Sequence, residues 1–75
     1  MKSPSDQKLL KKFGLHLRRF REARHLSLRQ LADEADIDFS AIHRIETGET
    51  NTSFLMIYTL AAALNITPAE LITIS

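Results

Sequence analysis

Apolar side chains recur at intervals of three and four residues along most of the chain, a spacing typical of helices packed on one side. The first stripe, in a helix predicted over about 6–24, consists of Leu10, Phe13, Leu17 and Phe20. Gly14 lies inside this helix, where it costs about 1 kcal/mol relative to Ala, and its missing side chain would permit close approach by another helix. Further stripes predict a second helix over about 28–35 and a third over about 39–47. A fourth helix is predicted from 52 or 53 to 64, and a short fifth helix through about 72.

The second and third predicted helices form the most specific pattern in the chain. Ser27 and Gln30 make an S-x-x-Q capping box, which satisfies two backbone donors at a helix start. Asp36 tolerates the left-handed conformation needed between the helices, and Asp38 is a good N-cap for the next one. Gly48 ends that helix, where positive φ is favoured. Two short helices joined by a tight turn are typical of a helix-turn-helix, whose second helix enters the DNA major groove.

The third predicted helix has a narrow apolar edge and a polar outer face. Ile42 and Ile45 form the edge that we expect to be buried. The outward side chains are Phe39, Ser40, His43 and Arg44. Arginine can donate two hydrogen bonds to guanine, serine can donate to a base or a phosphate, and phenylalanine can contact a thymine methyl group. The other interpretation of Phe39 is an exposed apolar residue used for a protein contact.

Over roughly residues 13–72 the chain resembles the Cro/repressor (XRE) family of small bacterial and phage DNA-binding domains. The residues that carry the resemblance are Leu17, Arg18, Arg21, Ser27, Leu31, Ala32, Ile37, Ile42, Arg44, Ile45, Glu46 and Gly48. The resemblance implies an all-α, five-helix, lambda-repressor-like domain with a helix-turn-helix. It also implies a sequence-specific DNA-binding transcriptional regulator, with the recognition helix at about 39–47. In this family, an ion pair equivalent to Arg21 and Glu46 joins the first helix to the third and faces the DNA backbone.

Candidate DNA contacts follow from the resemblance and from the residue types. By resemblance, base or sugar contacts come from the outer face of the third helix. Phosphate contacts are expected from the start of the second helix and from the loop after the third. The predicted DNA-binding residues are Arg29, Gln30, Phe39, Ser40, His43, Arg44, Thr50 and Asn51.

The sequence departs from the resembled family at four positions. The family commonly has Gln at Leu28, a basic residue at Glu49 and Pro at Thr52, and it often has Gly at His25. Leu28 lacks the expected phosphate anchor and can instead pack on the core, while Glu49 weakens phosphate binding after the third helix. These departures leave an alternative open: a protein-interaction module on the same fold, with weak or no DNA binding.

Charge is distributed unevenly, although the formal net charge is only +1. Residues 1–29 contain nine Lys and Arg residues and two acidic residues. Residues 30–75 contain one basic residue, Arg44, and seven acidic residues. A basic first helix is compatible with phosphate contact, but a charged run is also commonly a solvated face. The acidic residues around the third helix argue against strong nonspecific DNA affinity.

The composition argues against several other classes. There is no Cys, the three His lack metal-ligand spacing, and no nucleophile–base pair or phosphate-cradling Gly loop is visible. We therefore expect no enzymatic activity, no cofactor and no metal site. No stretch approaches the roughly 18 apolar residues of a membrane span, and residues 1–7 lack the apolar run of a signal peptide. We expect a cytoplasmic protein with a flexible arm over 1–7 and one domain over 8–75.

The fourth predicted helix carries more apolar residues than one small core needs. Beyond its core stripe it contains Phe54, Leu55 and Tyr58. We expect a homodimer through the fourth and fifth helices, because two-fold symmetry doubles the DNA sequence that is read. The resemblance admits three settings, which the sequence does not separate: a phage repressor, an antitoxin that represses its own operon, and a controller of a restriction system.

Overall fold

The computed structural model describes residues 3–74, and this part of the chain forms five α-helices and no strand. The helices are α1 (Pro4–Ala23), α2 (Leu28–Ala35), α3 (Phe39–Glu46), α4 (Phe54–Leu64) and α5 (Pro68–Ile72). The all-α, five-helix fold expected from the sequence is therefore confirmed. Within residues 3–74, no helix combines the length and the apolar character needed to cross a bilayer.

Helix α1 begins two residues before the expected start at Asp6. Ser3 is its N-cap: the Ser3 hydroxyl accepts a hydrogen bond from the Asp6 N–H at 3.1 Å, and Pro4 takes the first helical position. Pro at this position has φ already suited to a helix, so the capping box and Pro4 act together. In the arm predicted over 1–7, residues 4–7 are thus helical and residues 1 and 2 lie outside the described part. Flexibility of this segment stays a prediction.

Residues with positive φ end or separate the helices. Asp36, the C-cap of α2, has φ 54°, and His25, between α1 and α2, has φ 57°. Asn65 ends α4 at φ 59°, and Gly48 follows the last turn of α3 at φ 80°. Asp and Asn populate this region more readily than most residues. The left-handed Asp36 leaves only two residues before α3, which makes the turn between α2 and α3 tight.

The core lies where all five helices meet. Its largest fully buried side chains are Leu17, Leu31, Ile42, Leu60, Leu64 and Leu71. Burying each such side chain stabilises the fold by about 1.5–3 kcal/mol. The predicted α1 stripe is buried at Phe13 and Leu17 and only half-buried at its ends, Leu10 and Phe20. The core therefore draws on every helix and packs α2 against α3.

Gly14 allows α1 to lie directly against the end of α3. A Cβ built on Gly14 would come within 2.5 Å of the Ile45 carbonyl oxygen and would also collide with the backbone of Glu46. Real Cβ atoms do not approach backbone atoms so closely, so only glycine fits here. The close approach anticipated from the sequence is therefore present, and its partner is the helix with the predicted DNA-binding face.

Candidate nucleic-acid interface

Helix α3 is held by one edge and exposed along the other. Ile42 and Ile45 are 0% and 3% exposed, which anchors the inner edge in the core. Phe39, His43 and Arg44 are exposed on the outer side. A helix of this kind presents its outer side chains without loosening the core. The two-helix frame therefore displays the predicted recognition face as a fixed surface.

The Arg21–Glu46 ion pair ties the end of α3 to α1. Arg21 Nε donates to Glu46 Oε2 at 2.7 Å, and Arg21 Nη2 donates to Glu46 Oε1 at 3.1 Å. Arg21 Nη1 donates a third hydrogen bond to the Leu26 carbonyl oxygen at 2.8 Å. One guanidinium therefore joins α1, the turn between α1 and α2, and α3. These bonds to Glu46 raise the pKa of Arg21, more than burial lowers it. The Arg21–Glu46 pair therefore holds α3 against α1 beneath the candidate interface.

The start of α2 presents Arg29 as its cation. Leu28 is half-buried against the core, as its apolar character indicated. Gln30 closes the predicted capping box, because its Oε1 accepts a hydrogen bond from the Ser27 N–H at 2.8 Å. Only the amide NH2 group of Gln30 then remains for a phosphate. The Arg29 guanidinium lies over the Phe39 ring, with its central carbon 5.1 Å from the ring centroid.

At the N-terminus of α3, Asp38 does not have the capping role expected from the sequence. Asp38 occupies the N-cap position, but its carboxylate makes no hydrogen bond to the helix backbone. The carboxylate accepts instead from the hydroxyl of Ser40, in a very short contact. The prediction that Asp38 caps α3 through its side chain is therefore wrong, because Ser40 competes for the carboxylate. Ser40, half-buried at this turn, must rotate its hydroxyl away from Asp38 before it can donate to DNA.

A shallow groove brings together the predicted contacts at the other end of the interface. Arg44 on α3 lines it together with Thr50 and Asn51 of the following loop and Met56 of α4. Glu49 accepts a hydrogen bond from Thr47 Oγ1 at 2.6 Å, which holds its carboxylate toward the end of α3. The predicted DNA-binding residues thus form two groups. Arg29, Gln30, Phe39 and Ser40 lie at the starts of α2 and α3, whereas His43, Arg44, Thr50 and Asn51 lie in the second half of α3 and in the loop after it.

Two features of the interface were missed in the sequence. Arg29 and Phe39 were predicted as separate DNA contacts, whereas the structure places them against each other. Lys11 packs against the loop after α3: a Cβ on Gly48 would lie 2.7 Å from Lys11 Cγ. Basic residues recur along α1, but nothing local marked Lys11 as the one that lies beside the loop after α3.

Two short helices joined through a left-handed Asp36, with the second exposed along a polar face, define a helix-turn-helix DNA-binding domain. The sequence model of the HTH_3 helix-turn-helix family matches residues 17–71. The chain belongs to this family, which confirms the resemblance to XRE-type regulators. Comparison with curated proteins gives no significant match.

Solved structures with the same fold include gene regulators. The restriction-modification controller protein C.AhdI from Aeromonas hydrophila is 44% identical, with a TM-score of 0.81 over 83% of this chain and 94% of that one. The clp gene regulator ClgR from C. glutamicum is 25% identical, with a TM-score of 0.80 over 85% and 82% of the two chains. The hypothetical transcription factor NHTF from Neisseria is 24% identical and shares the fold, with a TM-score of 0.84 over 99% and 85%. Family and neighbours together identify a DNA-binding transcriptional regulator.

Proposed function

We propose that this regulator binds specific DNA sequences by placing α3 in the major groove. The orientation of α3 carries the proposal: its inner edge is locked by Ile42 and Ile45, while Phe39, His43 and Arg44 project from the core. Such a helix can enter the groove with no rearrangement of the fold. The proposed activity is binding alone, with no catalysis.

Each predicted contact has a role that fits its position. Arg44 is the best candidate for reading a base, because a guanidinium can bond both acceptors of guanine in the major groove. Ser40 supplies a hydroxyl for a base or phosphate, and Phe39 an apolar contact with a thymine methyl group. The contacts expected to be with phosphates are Arg29, Gln30, Thr50 and Asn51, and His43 lies beside Arg44 on the outer face of α3.

Fluorescence anisotropy on genomic fragments, at two salt concentrations, tests this proposal. We expect tight binding to one fragment and weakening with salt, because phosphate contacts release counterions. Arg44→Ala should weaken that binding by about 5- to 150-fold, the equivalent of a lost bidentate base contact of 1–3 kcal/mol. Arg19→Ala is the matched control, because Arg19 is also exposed but lines a groove with Thr73 and Ile74 on another part of the surface.

The protein-interaction module is the second candidate function, favoured by Leu28 and Glu49. It predicts that no fragment binds even at low salt, where phosphate contacts are strongest. That result would refute the DNA-binding proposal. Binding that is equally reduced by Arg44→Ala and Arg19→Ala would refute the role of α3 while leaving a general electrostatic attraction.

We further propose a homodimer through α4 and α5. Phe54, Leu55 and Tyr58 of α4 are 76%, 74% and 51% exposed, and Ile72 of α5 is 52% exposed. This much exposed apolar surface on adjacent helices is typical of a contact surface. Sedimentation over a range of concentrations should show a dimer that Leu55→Glu disrupts. Leu15→Glu on α1, at an exposed apolar site outside this surface, should leave the dimer intact.

Among the three settings open from the sequence, we propose the controller of a restriction system. The support is the 44% identity to the restriction-modification controller C.AhdI over most of both chains. A regulator of bacterial or phage DNA acts in the cytoplasm, which is the location we propose. Footprinting upstream of the protein's own gene and of adjacent genes tests the setting, and protection confined to a site unlinked to any restriction gene would refute it.

A further inference from the structure

The contact between Arg29 and Phe39 bridges the two helices of the helix-turn-helix. Arg29 is the second residue of α2 and Phe39 is the first residue of α3. The guanidinium carbon lies 5.1 Å from the ring centroid, within the range of a cation–π interaction. Both side chains are exposed, with 39% of Phe39 accessible. The contact therefore lies on the proposed DNA-binding surface and not in the core.

The Arg29 guanidinium contacts the Phe39 ring although an acidic residue on its own helix could pair with it. Asp33 stands four residues further along α2, the spacing at which opposite charges pair on a helix. Within residues 3–74, however, the ion pairs are Arg18–Glu22 and Arg21–Glu46. A carboxylate would neutralise the guanidinium, whereas an aromatic ring holds it and leaves its charge intact. The ring thus favours one position of the Arg29 guanidinium without placing a negative charge beside it.

A guanidinium that lies over a ring still has an edge of N–H donors. This edge can form two parallel hydrogen bonds with phosphate oxygens, a geometry that lysine cannot match. Arg29 is the charged donor at this helix start, since Leu28 packs on the core and Gln30 can offer a phosphate only its neutral amide NH2 group. Arg29 and Arg44 are also the only Lys or Arg residues between 28 and 75. Restricting Arg29 before binding lowers the entropy lost when it meets the phosphate.

We propose that Phe39 is a positioning residue, whose ring holds the Arg29 guanidinium where it binds a DNA phosphate. The inference rests on the proposed DNA-binding function and adds a role for Phe39 that acts through Arg29. A phosphate contact carries no sequence information. Replacing the ring by an aliphatic side chain, which can still contact a thymine methyl group, should therefore weaken binding to any DNA sequence by a similar factor.

The test measures DNA affinity by fluorescence anisotropy across salt concentrations, on the fragment that binds tightest and on a shuffled fragment. Phe39→Leu keeps apolar bulk and removes the ring, so binding to both fragments should weaken about two- to fivefold, the equivalent of one exposed cation–π contact. Phe39→Tyr keeps the ring and should bind like the wild type. Arg29→Ala should make the negative slope of log K against log salt shallower by about 0.9, and Phe39→Leu should change the slope in the same direction.

The double variant decides whether Phe39 acts through Arg29. In the Arg29→Ala background, Phe39→Leu should cause no further loss. Losses that add would overturn the positioning role, and so would a loss from Phe39→Leu confined to the tight fragment, which would indicate direct base contact. If the wild type binds no fragment at low salt, the proposed function itself fails. Thermal unfolding of each variant serves as the folding control, because neither exposed side chain supports the core.

Discussion

Removing Arg21 should destabilise the domain far more than removing any exposed arginine. The Arg21 and Glu46 side chains are only 10% and 5% exposed, and they share hydrogen bonds of 2.7 and 3.1 Å. Arg21→Ala would leave the Glu46 carboxylate buried without its cation. It would also leave the Leu26 carbonyl oxygen without its 2.8 Å donor. The first loss falls between α1 and α3, and the second falls in the turn between α1 and α2.

The expected cost can be compared with the stability of the whole domain. Breaking a buried ion pair by removing one partner costs about 3–5 kcal/mol. A domain of 75 residues has about 4–11 kcal/mol of stability in total. In a domain of this size each kcal/mol shifts Tm by about 4–8 °C, so Arg21→Ala should lower Tm by at least about 12 °C.

Urea unfolding followed by circular dichroism measures this loss. Arg18→Ala is the matched control, because Arg18 pairs with Glu22 at 3.0 Å on the same helix while both side chains remain 59% and 52% exposed. An exposed pair of this spacing contributes about 0.3–0.5 kcal/mol. Arg21→Lys keeps the charge but loses the paired geometry, so it should fall between the wild type and Arg21→Ala.

A double variant separates the unpaired charge from the lost contact. Arg21→Met with Glu46→Leu removes both charges and should recover much of the stability lost in Arg21→Ala, because no charge is left buried alone. If Arg21→Ala costs no more than Arg18→Ala, the pair does not hold α1 to α3 and the reasoning fails. If the double variant is less stable than Arg21→Ala, the uncompensated carboxylate is not the source of the cost.

Three further predictions concern other parts of the fold. Gly14→Ala should cost about 1–3 kcal/mol in urea unfolding despite its better helix propensity, because the new Cβ meets the Ile45 carbonyl oxygen; equal or greater stability would contradict the close approach. Thr52→Val should raise Tm by about 4–8 °C, since the buried Thr52 hydroxyl has no hydrogen-bond partner within residues 3–74; a lower Tm would show that the hydroxyl is satisfied. Hydrogen bonds from Thr67 lower the pKa of Glu70, so the stability that the Glu70 carboxylate contributes is lost as pH falls through that lowered pKa. The Tm difference between wild type and Glu70→Gln should therefore shrink on acidification, and a constant difference would refute the effect.

Most of the fold could be predicted because its signals are local. A capping box joins residues three apart, and a helical stripe repeats every three or four residues, so both can be recognised without knowing the tertiary structure. The start of α1 was nevertheless predicted too late, although Ser3, Pro4 and Asp6 carry the same kind of signal as the start of α5. The sequence of residues 3–6 thus contains the signal for a helix start at Pro4, although these residues were predicted to form a flexible arm.

The candidate site was harder to predict because its side chains choose among several partners. Asp38 has the residue type and backbone position of an N-cap, yet its carboxylate bonds to the Ser40 hydroxyl instead of the helix backbone. Asp33 stands four residues after Arg29, the spacing of a helical ion pair, yet the Arg29 guanidinium lies on the Phe39 ring. Sequence spacing shows which partners are available. Which one is taken depends on rotamers and on the packing of neighbouring helices.

The sequence by itself determined the five helices, the tight turn after Asp36, the inner edge of α3 and, through resemblance, the family. These features depend on contacts within one helix or between residues close in the chain. Only the tertiary structure decided that Gly14 lies against Ile45 and that Arg29 reaches across to Phe39. Such contacts join residues from different helices, whose distances are fixed only when the helices pack around a common core. For that reason the sequence could predict the outward face of α3, and the packing determined how the side chains on that face are arranged.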